Sequence, residues 1–119
     1  MPSYQASCHC GAISFSFDTE QAVDKGLRCN CSICARKGAL MSQQVFAPEQ
    51  LNIRVRDDAL GLYQFGDGRA KHFFCKHCGI YPFHETVRSP GQYRVNLGCC
   101  DQIDVVNLPF DVFDGRHLL

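Results

Sequence analysis

Along this chain, apolar and polar positions alternate in short runs. Ile13, Phe15 and Phe17 alternate with Ser14, Ser16 and Asp18, which predicts a half-buried strand over 11–18. The polar stretch 19–26 reads as a loop. Positions 32–37 predict a single helical turn stopped by Gly38. A strand is expected over 39–46, ended by Pro48, with a turn at 49–51. Leu51, Ile53 and Val55 alternate with Asn52, Arg54 and Arg56, giving another strand before an Asp57-Asp58 turn. Runs 60–65 and 69–75, joined through Gly66-Asp67-Gly68, predict a hairpin. Tyr93, Val95 and Leu97 alternate after the Ser89-Pro90-Gly91 turn, and the apolar tail 103–113 is interrupted by Pro109. No repeat, linker or low-complexity segment breaks the sequence. The expectation is one mainly β domain over 1–119, built of short antiparallel strands.

Composition narrows the class. Hydrophobic residues are 45% and charged residues 20% of the 119 positions, which excludes a disordered or fibrous chain. Lys+Arg and Asp+Glu are both 12, so the basic excess of an unaided nucleic-acid binder is missing. No apolar run reaches the roughly 20 residues of a membrane span. The start, Met-Pro-Ser-Tyr-Gln-Ala-Ser-Cys, shows no basic segment followed by an apolar one. A cytoplasmic protein with no nucleic-acid or membrane partner is expected.

The nine cysteines change the picture. A disulfide scaffold calls for an export signal and an even count. Here the positions are Cys8-x-Cys10, Cys29-x-Cys31-x-x-Cys34, Cys75-x-x-Cys78 and Cys99-Cys100. Close pairs chelate a metal with little additional loop-closure cost, so zinc is the reading. Spacing alone also permits Cys8 and Cys10 to join Cys29 and Cys31. One metal on Cys29, Cys31 and Cys34 closes the shortest loops, leaving Cys8, Cys10, Cys75 and Cys78 as a four-sulfur set. Two zinc ions per chain follow. The four-thiolate site is structural, and the three-thiolate site keeps a position for substrate or water. Gly11 and Gly79 follow the pairs and permit a φ > 0 turn that faces backbone N–H groups toward sulfur. Arg36, Lys37, Lys76 and His77 flank the sites, with Lys37 and Lys76 read as solvated cations. Seven thiolates and two zinc dications leave the loaded protein mildly acidic, against a nucleic-acid role.

Cys8-His9-Cys10-Gly11, Cys29-Asn30-Cys31-Ser32-Ile33-Cys34 and Phe74-Cys75-Lys76-His77-Cys78-Gly79 resemble the glutathione-dependent formaldehyde-activating enzyme family, also called centromere-protein-V-like. Ile80-Tyr81-Pro82-Phe83-His84 and Tyr93-Arg94-Val95-Asn96-Leu97-Gly98-Cys99 also match its pattern, so the likeness runs from Cys8 to Asp101. The ordered set of three motifs is far more specific than a lone CxxC. The resemblance implies a β-tent of two small antiparallel sheets, stapled by zinc. It implies a structural zinc on Cys8, Cys10, Cys75 and Cys78 and a catalytic one on Cys29, Cys31 and Cys34. The implied activity is that of a carbon–sulfur lyase or synthase on thiol–aldehyde adducts such as S-hydroxymethylglutathione, with glutathione and an aldehyde as partners. A substrate thiol bound as thiolate is the expected reactant, with activation of water second. His84 and Asn96 fall in segments like the family's pocket lining, and Arg36 is placed to meet a carboxylate. The plainer reading makes His84 and Asn96 satisfied strand residues and leaves Arg36 in solvent. Cys99 is either a fourth ligand or a small core residue, and Cys100 has no assigned role. His9 and His77 are spare beside full cysteine sets; His72 and His117 carry no signal. Phe73 and Phe74 are both expected in the core. The alternative to an enzyme is a zinc-stabilised protein-binding module, or a redox sensor if the trio stays metal-free. Oligomeric state is open.

Overall fold

The computed structural model describes residues 1–66 and 70–119. Asp67 and Gly68 of the expected hairpin turn, and Arg69 at the start of the expected 69–75 run, lie outside the described residues. Among the described residues, ten strands and two short helices make up the regular structure: β1 (Ser3–Ser7), β2 (Ile13–Asp18), β3 (Gly26–Cys29), α1 (Ser32–Lys37), β4 (Met41–Ser42), β5 (Arg54–Val55), β6 (Leu60–Tyr63), β7 (Lys71–Cys75), β8 (Phe83–Glu85), β9 (Tyr93–Val95), β10 (Phe110–Phe113) and α2 (Gly115–Leu118). Single 3-10 turns occupy Pro48–Leu51 and Leu97–Cys99.

The mainly β class holds, but the strands form three small sheets rather than two, in the orders β1-β2-β5, β10-β3-β4 and β6-β7-β8-β9. Within the second sheet β10 runs parallel to β3, pairing Phe113 with Cys29. The alternation over 11–18 acts as expected. Ile13, Phe15 and Phe17 are buried on one face of β2, and β1, unremarked in the sequence, pairs along its whole length. Phe15 meets Phe83 edge-on at 5.4 Å, and Phe83 stacks on Tyr93 at 5.6 Å, so the first and third sheets share one core.

The short strands fall where local backbone chemistry interrupts the pattern. Only Met41–Ser42 of the expected 39–46 strand is paired in a sheet, with Phe46 in an isolated bridge to Tyr93. Asn52 adopts φ 46°, so the 51–55 alternation yields only two strand residues. Asp57 and Asp58 make the expected turn, both in the left-handed region at φ 54°. Helix α1 stops at Gly38, φ 67°, whose N–H donates to the Cys34 carbonyl. Phe74 departs from expectation: neighbours on a strand face opposite sides, so Phe73 is buried while Phe74 covers Gly61 on the outside. No helix among the described residues is long and apolar enough to cross a membrane.

Candidate metal centre and adjoining cavity

The ligating atoms of Cys8, Cys10, Cys75 and Cys78 all lie within 4.8 Å of one another, as do those of Cys29, Cys31 and Cys34. Sulfur–sulfur separations of 3.7 Å (Cys8–Cys10) and 3.6 Å (Cys10–Cys75) are far too long for disulfides. They approach the roughly 3.8 Å edge of a tetrahedron whose metal–sulfur bonds are about 2.3 Å, the zinc–thiolate value. Donor type and spacing therefore fit zinc in the four-sulfur group, and the same donor type, one ligand short, fits it in the trio.

The four-sulfur group is assembled by two turns built alike. Gly11 (φ 82°) donates to the Cys8 carbonyl and Gly79 (φ 78°) to the Cys75 carbonyl, curling each chain around its pair. The Ile13 N–H donates to Cys8 Sγ at 3.3 Å. Burial acts to raise Cys78, but the Cys10 and Ile80 amides and the Cys75 and Cys10 thiols bring it down to about 6. The Ala12 amide lowers Cys10, yet burial and the thiols of Cys75, Cys8 and Cys78 raise it on balance to about 11. Lys76 sits outside this group, in a 3.4 Å surface pair with Asp58.

Strand β3 ends in Cys29, and Cys31 and Cys34 follow at the start and middle of α1. Burial pushes Cys34 up to about 12 against the pull of Lys37's charge, and burial likewise raises Cys29. Cys31 differs: burial works against it, but the Cys34 amide, the Cys29 and Cys34 thiols and the Ile33 amide outweigh burial and lower it. Gly115 of α2 presses on the trio so closely that a Cβ there would collide with Cys29 Sγ. Asn30 holds α2 in place, donating to Asp114 at 3.0 Å and accepting from the Arg116 N–H at 2.8 Å.

The trio lines a cavity of about 400 Å³ whose walls include Leu27, Ile33, Met41, Phe113 and Leu119, with Arg88, Arg94 and Arg116 as cations among the described residues and His72 and His84 among the polar groups. Arg94 is buried and donates to the Ser42 and Gln43 carbonyls at 3.1 and 2.7 Å. Arg88 lies 3.6 Å over the Phe113 ring. His84 is bonded through Nδ1 to the Tyr81 hydroxyl. Burial, aided by the charge of Lys37, lowers His84 to about 3 and His72 to about 4. Lys37 is not the solvated cation expected of it. Its ammonium lies 3.4 Å over the Tyr81 ring and 2.8 Å from His72 Nδ1, and burial brings it down to about 8 against the pull of the three thiols.

Of the other residues singled out, Arg36 is exposed and donates to the Ser32 carbonyl of its own helix. Asn96 caps the Leu97–Cys99 turn, accepting from Gly98 N–H and donating to the Tyr81 carbonyl. Neither lines the cavity. Cys99 and Cys100 belong to the core and to neither sulfur group. His9 and His77 are exposed, and His117 pairs with Asp114 at 2.8 Å. No local pattern pointed to His72, Arg88, Arg94 and Arg116 as cavity residues, because only the folded chain brings them together. The β7–β8 register sets His72 against His84, and β8–β9 sets His84 against Arg94.

A mainly β scaffold carrying two thiol groups of metal-ligating geometry is the class these features define. The model of the glutathione-dependent formaldehyde-activating enzyme family matches residues 3–114. A Rhodobacter sphaeroides protein of known crystal structure is 33% identical and superposes with a TM-score of 0.76, covering 90% of this chain and 99% of that one. The chain belongs to the glutathione-dependent formaldehyde-activating enzyme family.

Proposed function

We propose that this protein makes and breaks the carbon–sulfur bond of thiol–aldehyde adducts, with glutathione and formaldehyde the leading pair. One zinc on Cys8, Cys10, Cys75 and Cys78 would be structural. A second, on Cys29, Cys31 and Cys34, would lower the pKa of a thiol that joins it, presenting a substrate sulfur as thiolate near neutral pH. The observation that carries the reading is the incomplete sulfur set opening on a cavity of about 400 Å³. Arg88, Arg94 and Arg116 suit the two carboxylates of glutathione, since guanidinium forks bind carboxylates in pairs. The guanidinium of Arg94 is anchored on backbone carbonyls, so it meets an anion without first being ordered. Leu27, Ile33, Met41, Phe113 and Leu119 give the reacting atoms an apolar wall, where charge interactions strengthen. In the synthetic direction sulfur bonds to the aldehyde carbon, the carbonyl π pair moves to oxygen, and oxygen gains the proton the thiol gave up. Cleavage reverses each step.

The test is the rate at which glutathione and formaldehyde reach equilibrium with their adduct, followed by exchange NMR with and without protein. Acceleration by the wild type, abolished in a folded Cys31→Ser variant, is the expected result. A wild type that retains two zinc ions without acceleration would leave the binding-module reading.

A further inference from the structure

One polar atom of the cavity's lining residues is left over by this account. His72, on β7, is only 6% exposed, and its Nε2 has no hydrogen-bond partner among the described residues. Its other nitrogen, Nδ1, lies 2.8 Å from Lys37 Nζ. An ammonium group has three hydrogens and no lone pair, so at this contact it donates and Nδ1 accepts. Lys37, at about 8, is mostly an ammonium at neutral pH, and His72, at about 4, is neutral there. A neutral imidazole carries a single N–H, and with Nδ1 accepting, that hydrogen is on Nε2. The groups facing the ring agree with this state. Phe65 stacks on it at 5.9 Å, Tyr81 is 6.4 Å away, and His84, at 5.7 Å, has its own Nδ1 engaged by the Tyr81 hydroxyl. A buried donor without an acceptor is costly and uncommon, so one carried by a residue of the cavity's lining calls for an acceptor from outside the described residues.

We propose that His72 Nε2–H is a preset hydrogen-bond donor to the substrate oxygen on the carbon that gains or loses sulfur, and that Lys37 is the positioning residue that fixes its tautomer. The proposal rests on the thiol–aldehyde reading above for the identity of that oxygen. During bond formation the carbonyl oxygen gains negative charge, and a donor already in place stabilises it without reorganisation. In the adduct the same atom is a hydroxyl, still able to accept. The donor therefore selects substrates with oxygen on the sulfur-bearing carbon. An S-methyl thioether, which lacks it, leaves Nε2 unpaired and is disfavoured.

The experiment is a long-range proton–nitrogen NMR spectrum of the ¹⁵N-labelled, zinc-loaded protein at pH 7, read together with exchange kinetics. In the wild type, His72 is expected as the Nε2–H tautomer with Nδ1 unprotonated. Lys37→Met is expected to move a measurable fraction to the Nδ1–H form, and Lys37→Arg, which is also donor-only at that end, to restore the wild-type signature. His72→Phe is expected to keep two zinc ions and lose roughly 10²–10³ in kcat, the usual size for one oxyanion donor. It should also lose most of the preference for S-hydroxymethylglutathione over S-methylglutathione in competitive binding. A wild-type Nδ1–H or imidazolium signature, or a tautomer indifferent to Lys37→Met, overturns the proposal. So does a folded His72→Phe variant with full kcat. If His72→Phe does not fold, the wild-type and Lys37 spectra decide. A wild type showing the Nε2–H tautomer but no acceleration overturns the reaction reading and the substrate oxygen as acceptor, while the Lys37-fixed tautomer stands.

Discussion

At Gly115 the chain passes the sulfur trio with no room for a side chain: a Cβ there would strike Cys29 Sγ and come within 3.3 Å of Cys31 Cβ. Gly115→Ala should push α2 away or Cys29 out of place, at a cost of about 1–3 kcal/mol. The expected outcome is loss of one of two zinc ions per chain, read by metal analysis, with the other still bound. Two tightly held ions in that variant would refute the assignment. His84 makes a second residue-scale prediction through protons. Its folded value, about 3, lies below the ordinary 6.5, and that of His72, about 4, does too. The unfolded chain therefore binds protons below about pH 6.5 while the folded chain does not. Their contribution is fully present above that pH and is lost as pH falls toward 4, at about 1.4 kcal/mol per pH unit for each histidine. Urea midpoints from pH 7.5 to 5 should fall less steeply for His84→Gln than for the wild type. Metal content read on both proteins at each pH separates acid release of metal from the histidine.

Among the elements, α2 is clasped by one side chain, Asn30, which bonds both Asp114 and the Arg116 N–H. Asn30→Ala should speed amide hydrogen exchange over 115–118 at least tenfold, while β1 and β2 exchange as before. Uniform acceleration would mean instead that α2 is integral to global stability. This clasp also marks the border of what the sequence makes legible. The sulfur pairs, their glycines, β2 and α1 all announce themselves, because chelation, tight turns and period-two burial act between near neighbours. The placement of β10 does not, since a parallel pair has no connecting turn to betray it. The Phe73-Phe74 doublet was decidable, because strand geometry sends one ring to each side. Lys37 was not, since the aromatic and imidazole that cover it come from residues 81 and 72.

Across the whole molecule, the four-sulfur group joins positions 65 apart, Cys10 and Cys75, and ties the β2 end of the first sheet to the β7 end of the third. The trio closes only short loops. Cys10→Ser should therefore lower thermal stability severely or abolish folding, while Cys31→Ser should stay folded with one zinc. Circular dichroism and metal content on both variants check this, and equal damage from the two would dissolve the distinction between structural and open sites. The arginines, the two histidines and the incomplete sulfur set line one cavity, drawn from β3, β7, β8, the loop after it, β9, α1 and α2. Sequence named its sulfur edge and, through the family resemblance, His84; the rest exists only after the strands have paired.

The same difference in reach sets an order of events on the ribosome. The three sulfurs of residues 29–34 emerge together and can take up metal at once, whereas Cys8 and Cys10 must await partners 65 positions downstream of Cys10, roughly 3–13 s at typical rates of synthesis. During that interval the first pair is a nascent bidentate chelator, open to copper or to oxidant, and the yield of correctly loaded protein should depend on how fast the remaining chain is made.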